Sequence, residues 1–321
     1  MLIPVLFIIL SIVILYFGAE LTLNASEMIG KILGLSPLVI GMILIGFGTS
    51  LPEFFVGHIA SIKGESGVAM GSLVGSNIAN MFLILGFCGL FSKLSVAGQS
   101  LKEHLIIHLL LGILLFYVLS QEYLNLITTS PLLILLIIYL FFILKDMKRE
   151  KLKRSENTLV KDPSSPSVEA NGAILFFKMI IGFGLLYVGG ELLVKGGTDL
   201  GTTLGIDSYI ISAIFIAFGT SFPELVTALM AAYKKKDTDL IIGNIVGSNL
   251  FNCAFILGSL GIYNFKIEQD FKVELFSLLF GAFILLVLNL LNRKLFRFVS
   301  IIFLATYGYM VLHWLKTTKG V

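Results

Sequence analysis

The octapeptide GFGTSLPE at residues 46–53 returns as AFGTSFPE at residues 217–224, an offset of 171 residues. LYFGAE at 15–20 returns as LYVGGE at 186–191 with the same offset, and GSLVGSNIANMFLILG at 71–86 returns as GNIVGSNLFNCAFILG at 243–258, offset by 172. One residue has therefore been gained in the loop between the two motifs of the second copy. Self-similarity of this length marks a duplicated structural unit. The second half must fold as the first does, and the two copies must pack together.

The unit is apolar. Of 321 residues, 57% are hydrophobic and 13% charged, against roughly 25% charged in soluble domains; mean hydropathy is +0.97. So few polar side chains cannot cover a water-soluble globule, which excludes a soluble enzyme. Hydropathy this high also excludes a disordered chain, and no G-X-Y period suggests collagen. The apolar runs suit helices rather than barrel strands, since a helical span needs about 20 residues. Spans are expected near residues 2–30, 36–62, 67–91, 101–120 and 131–146, then 172–203, 207–233, 239–263, 270–291 and 295–315. The expected fold is thus all-α and membrane-integral, with about ten transmembrane helices. The stretch KDMKREKLKRSENTLVKDPSSPSVEANG is the long polar interruption. It divides the chain into a first five-helix repeat (1–146), a linker (147–171) and a second five-helix repeat (172–321).

Three class predictions follow from small counts. A formal net charge of +3 is too small to suggest nucleic acid. Cys88 and Cys253 lie inside apolar runs, so no disulfide framework is expected. The start Met1-Leu2-Ile3-Pro4 lacks a basic segment and reads as the edge of a first span rather than a signal peptide.

Basic residues set the orientation. Lys145, Lys148, Arg149, Lys151, Lys153, Arg154 and Lys161 crowd the central linker, which is placed in the cytoplasm. Alternation from there puts Arg293, Arg297 and the Lys234-Lys235-Lys236 run inside as well, Lys63, Lys266 and Lys272 outside, and both termini outside. Five spans per repeat make the second copy enter the bilayer from the opposite side. A pseudo-two-fold axis in the membrane plane follows, an arrangement typical of secondary transporters. A channel is the competing class, though channels more often surround a pore with identical subunits.

The repeated motif carries the chemistry. Glu53 and Glu224 fall near the middle of spans, where an ionised carboxylate costs about 3 kcal/mol or more unless compensated. Facing each other across the axis, they would repel unless one is protonated or a cation bridges them. Pro52 and Pro223 each remove a helical N–H and clash with the carbonyl four residues back, which frees carbonyls around Gly48–Thr49 and Gly219–Thr220. Thr49 and Ser50 share a helix face with Glu53, as Thr220 and Ser221 do with Glu224. Ser76 and Asn80, and Ser248 and Asn252, are spaced i, i+4. Gly71, Gly75, Gly243 and Gly247 form small-xxx-small faces for close helix packing. The donors are hard oxygens, suited to Ca²⁺ or Na⁺ more than to Mg²⁺, which demands tight octahedral geometry.

Duplicated G-T-S-x-P-E with a following G-S-N-x-x-N resembles the cation/calcium exchanger superfamily, and most closely its sodium/calcium exchanger branch of prokaryotic type. The resemblance spans nearly the whole chain. It implies a ten-helix inverted-repeat antiporter exchanging Na⁺ for Ca²⁺ by alternating access, with first helices that slide, no cofactor and no obligate protein partner. It implies Ca²⁺ between Glu53 and Glu224, assisted by the carbonyls of Thr49 and Thr220. Sodium sites would use Ser50 and Ser248 on one side and Ser76 and Ser221 on the other, joined by the carbonyls of Gly46 and Ala217, with Asn80 and Asn252 lining the middle. Asn252 stands where potassium-dependent relatives carry Asp, which favours potassium independence. The linker is too short for the calcium-sensing domains of animal exchangers. A Ca²⁺/H⁺ antiporter is the alternative coupling.

Outside the motifs, Glu20 and Glu191 are expected to have structural roles near the interface. His104 and His108 are expected to be an incidental i, i+4 pair. His58, beyond Glu53 on the same span, is expected to be a packing residue, with control of proton sensitivity as the other reading.

Overall fold

The computed structural model describes residues 2–92, 94–157, 171–204 and 221–318. Its helices are α1 (Leu2–Leu33), α2 (Pro37–Ile62), α3 (Ser66–Phe91), α4 (Gln99–Leu119), α5 (Leu126–Asn157), α6 (Gly172–Thr203), α7 (Phe222–Tyr233), α8 (Thr238–Tyr263), α9 (Lys272–Leu290) and α10 (Arg297–Thr318). Among the described residues nine are long and apolar enough to cross a membrane. The exception is α7, because the first half of the expected seventh span lies outside the described residues.

Local chemistry sets the ends. Ser36 caps α2 by accepting from the Val39 N–H at 3.3 Å, with Pro37 at the first helical position. Asn171 and Asp237 cap α6 and α8 in the same way, from Ala173 and Asp239, each at 3.0 Å. Gly34 and Gly64 turn the chain after α1 and α2 at φ +74° and +77°. Helix α5 exceeds the expected 131–146 at both ends, continuing through the first part of the expected linker. Charged residues such as Lys148 and Glu150 are good helix formers, so polarity there does not end the helix.

The packing is that of an inverted repeat. Along the α1–α6 seam, a Cβ on Gly18 would meet the Leu186 nitrogen at 2.9 Å, one on Gly189 the Leu15 nitrogen at 3.1 Å, and one on Gly196 the Ile8 nitrogen at 3.1 Å. Residue numbers run in opposite directions along this contact, so the repeat-related helices α1 and α6 are antiparallel. At the centre, α8 is buried along nearly its whole length and crosses α2 backbone to backbone at Gly41, Gly243 and Gly247. No described residue lies within 4 Å of a Cβ at Gly71 or Gly75. The repeat counterparts of the α2 residues that meet Gly243 and Gly247 lie outside the described residues.

Connections sort to two ends. At one, Leu295 donates to the Leu94 carbonyl at 2.8 Å, and the Ser95 N–H donates to Thr238 at 3.3 Å. At the other, a two-residue antiparallel pair joins β1 (Tyr123–Leu124) to β2 (Phe265–Lys266). The α3–α4, α7–α8 and α9–α10 connections therefore share one end, and α4–α5 and α8–α9 share the other, as alternating spans require.

Candidate functional site

Helix α2 breaks at Ser50 (φ −83°, ψ 2°), and the chain has the same shape at Ser221 (φ −87°, ψ 4°) before α7. The cause is shared: Pro52 and Pro223 sit in the first turn of the half-helices that follow, where a missing N–H costs nothing. The break hands Glu53 and Glu224 to the first turns of those half-helices. Both carboxylates are 0% exposed.

Glu53 Oε1 accepts from Ser76 Oγ at 2.9 Å, and Ser76 Oγ in turn accepts from Ser221 Oγ at 2.9 Å and Asn252 Nδ2 at 3.2 Å. Ser76 belongs to the first repeat, Ser221 and Asn252 to the second. On the opposite flank Ser248 Oγ donates to the Gly46 carbonyl at 3.1 Å and lies 3.4 Å from Thr49 Oγ1. Glu224 lies close to the Thr49 and Ser50 hydroxyls and to Glu53, yet neither of its oxygens has a hydrogen-bond partner among the described residues. Ser50 Oγ, both side-chain polar atoms of Asn80 and Oδ1 of Asn252 are buried with no hydrogen-bond partner among the described residues.

Asn80 and Asn252 occupy matching places in wide π-helical turns, Ala79–Ile84 and Phe251–Leu257. Such turns recur at functional sites because they disturb the backbone ladder and redirect a side chain. Glu53, Glu224, Thr49, Ser50, Ser76, Ser221, Ser248, Asn252 and the Gly46 carbonyl are thereby brought to one junction between α2, α3, α7 and α8. Thr220 and Ala217 lie outside the described residues. The resulting cluster holds two carboxylates, hydroxyls, amides and a carbonyl, with buried oxygens left to coordinate. It can hold a hard cation.

The other histidines fall elsewhere. His104 Nε2 is 2.9 Å from buried Asp146, which also accepts from Ser100 at 3.1 Å. His108 Nε2 lies 3.4 Å from Asn249 Nδ2, which also reaches the Asn77 carbonyl at 3.5 Å. The two histidines do not act as a pair; each ties α4 to a different helix. His58 Nδ1 and Nε2 meet Tyr263 Oη at 2.9 Å and Ser259 Oγ at 3.0 Å, fastening α2 to the end of α8. Glu20 is ion-paired with Lys234. Asp146, Asn77 and Asn249 escaped the sequence reading, although Asn77 and Asn249 are themselves repeat mates at offset 172.

The sodium/calcium exchanger protein family matches residues 3–145 and 174–316, one stretch in each repeat. The chain is 30% identical to the inner membrane protein YrbG of Escherichia coli (strain K12), covering 80% of this chain and 79% of that one. It is 28% identical to the sodium/calcium exchanger MaX1 of Methanosarcina acetivorans, covering 96% and 93%. Its structure is similar to that of the sodium-calcium exchanger NCX_Mj soaked with zero Na⁺ and Ca²⁺, with a TM-score of 0.81 at 27% identity over 97% of this chain and 98% of that chain. With both repeats matched and the helical membrane architecture shared, the chain is a multi-pass membrane transporter that belongs to the sodium/calcium exchanger family.

Proposed function

We propose that the protein is a secondary active antiporter that exchanges Na⁺ for Ca²⁺ by alternating access, with the ions held at the bilayer midplane between the two Pro-Glu helices. Ca²⁺ sits between Glu53 and Glu224 with the Thr49 and Thr220 carbonyls. Na⁺ uses Ser50 and Ser248 with the Gly46 carbonyl on one flank, and Ser76 and Ser221 with the Ala217 carbonyl on the other. Asn80 and Asn252 line the middle. The observation that carries this reading is the Ser76 hydroxyl, which links Glu53 of one repeat to Ser221 and Asn252 of the other. An ion bound there is held by both halves at once, so it can lower the cost of bringing two carboxylates together as the halves move.

The transporter lies in the cell (inner) membrane as two five-helix repeats, 1–146 and 172–321, around a cytoplasmic linker, with both termini outside. Its substrates are Ca²⁺ and Na⁺, and it works in lipid without an obligate protein partner. Hydroxyl and carbonyl donors beside the carboxylates favour Na⁺ over H⁺ as the coupling ion, since a proton needs no such cage. Proteoliposomes loaded with Na⁺ should take up ⁴⁵Ca²⁺ on dilution into Na⁺-free buffer, and a pH gradient alone should not drive uptake. Proton-driven uptake without Na⁺ would make it a Ca²⁺/H⁺ antiporter, and Ca²⁺ flux without any counter-ion would make it a channel.

A further inference from the structure

Lys63 and Lys234 end the half-helices that carry Glu53 and Glu224, and both have nearly the same backbone shape (φ −78°, ψ −3° and φ −75°, ψ 5°). The next residues, Gly64 and Lys235, both turn at positive φ (+77° and +52°). Glu65 and Asp237 then precede α3 and α8 as their N-caps. One residue is left over in the second copy: Lys236 is the one gained between the repeats. Across the seam, Glu20 on α1 matches Glu191 on α6, and Glu27 matches Thr198, each at offset 171.

The two ends are in different states. Lys234 is ion-paired with Glu20, and Lys236 with Glu27 at 2.8 Å. Glu20 and Glu27 stand seven residues apart, two helical turns on one face, so α1 is fastened at two points to the end of α7. At the symmetry-related end, Glu191 and Lys63 are both exposed, and no ion pair among the described residues joins them.

We infer that Glu20–Lys234 and Glu191–Lys63 are alternating ion pairs, one closed in each access state, and that Lys236–Glu27 is an extra clasp biasing the protein toward the state seen here. This rests on the alternating-access reading above. When inverted repeats exchange conformations, what is closed at one end opens and its counterpart closes. The extra clasp has no counterpart to oppose it, because Glu27 is matched by the uncharged Thr198 and Lys236 by nothing. These residues touch no transported ion; they position the helices.

The test is hydrogen–deuterium exchange of the full-length protein in lipid nanodiscs. Part-exposed ion pairs shift a population by up to about five-fold. Lys236→Ala should therefore speed exchange by up to about that factor near residues 18–28 and 230–238, and slow it near 60–66 and 189–200. Glu27→Gln should give the same pattern, and Lys236→Arg should leave it unchanged. A clasp that merely stabilises its own end predicts faster exchange there with no new protection at the other, and that result would overturn the inference. The readout needs no transport, so loss of Na⁺-driven uptake in the parent protein would sink the functional reading while leaving this reciprocity to stand or fall separately.

Discussion

Replacing Glu53 or Glu224 with Gln should abolish Na⁺-driven ⁴⁵Ca²⁺ uptake. Both carboxylates are fully buried, and a buried ion that loses one of two charged partners is destabilised by about 3–5 kcal/mol. At 1.4 kcal/mol per tenfold, that is a loss of roughly two to nearly four orders of magnitude in Ca²⁺ affinity. Gln keeps the size and one acceptor oxygen, so the Ser76 hydrogen bond to position 53 can survive while the charge is gone. The contrast is Glu20→Gln. That side chain is 34% exposed in a part-solvated ion pair with Lys234, and it should leave substantial transport. Two motif variants with normal uptake in the proteoliposome assay would remove Glu53 and Glu224 from the site.

Gly247→Val should prevent the chain from accumulating as a folded, monodisperse protein. A Cβ at Gly247 would sit 2.7 Å from the Cα and 3.0 Å from the carbonyl carbon of Met42. Main-chain atoms cannot rotate out of the way, so relief requires moving α8 off α2. Overpacking of a rigid contact costs up to about 3 kcal/mol and sometimes more, and here it also pulls Ser248 from the Gly46 carbonyl. Gly41→Val should behave alike, because its Cβ would meet the Asn244 nitrogen at 2.8 Å and the Leu240 carbonyl. Gly184→Ala and Gly308→Ala, where no described atom lies within 4 Å, should be tolerated. Size-exclusion profiles and thermal melting in detergent separate the four variants.

Much of the fold was legible because a bilayer imposes its own period. Runs of about 20 apolar residues mark spans, and the 171-residue offset dictates that the halves match and invert. The antiparallel α1–α6 seam is the direct consequence. Helix ends were less legible: α5 runs on to Asn157 because its charged residues still favour helix. Local spacing decides the placement of Glu53, which Pro52 sets in the first turn of its half-helix. Which hydroxyl meets which partner across the repeats was not legible, since Ser76–Ser221 and Ser248–Gly46 join residues 145 and 202 apart. The same limit hid Asp146 beneath His104 and Tyr263 beneath His58, partners on other helices that no periodicity announces. Glu20 and Lys234 each stood out in the sequence, one as a repeated acid and one as a topology signal. Only the packing of α1 against the end of α7 shows that they are one feature.

On the proposed antiport mechanism, Na⁺ and Ca²⁺ occupy the same oxygen cluster in turn. Equilibrium ⁴⁵Ca²⁺ binding to the purified protein, titrated with NaCl at constant ionic strength with choline as the balancing cation, tests it most directly. Na⁺ should displace the bound Ca²⁺ completely and competitively, raising the apparent Kd without lowering the number of sites, while choline displaces none. Ca²⁺ that stays bound at saturating Na⁺, or a capacity that falls while the apparent Kd holds, would place the two ions in separate sites and contradict the account.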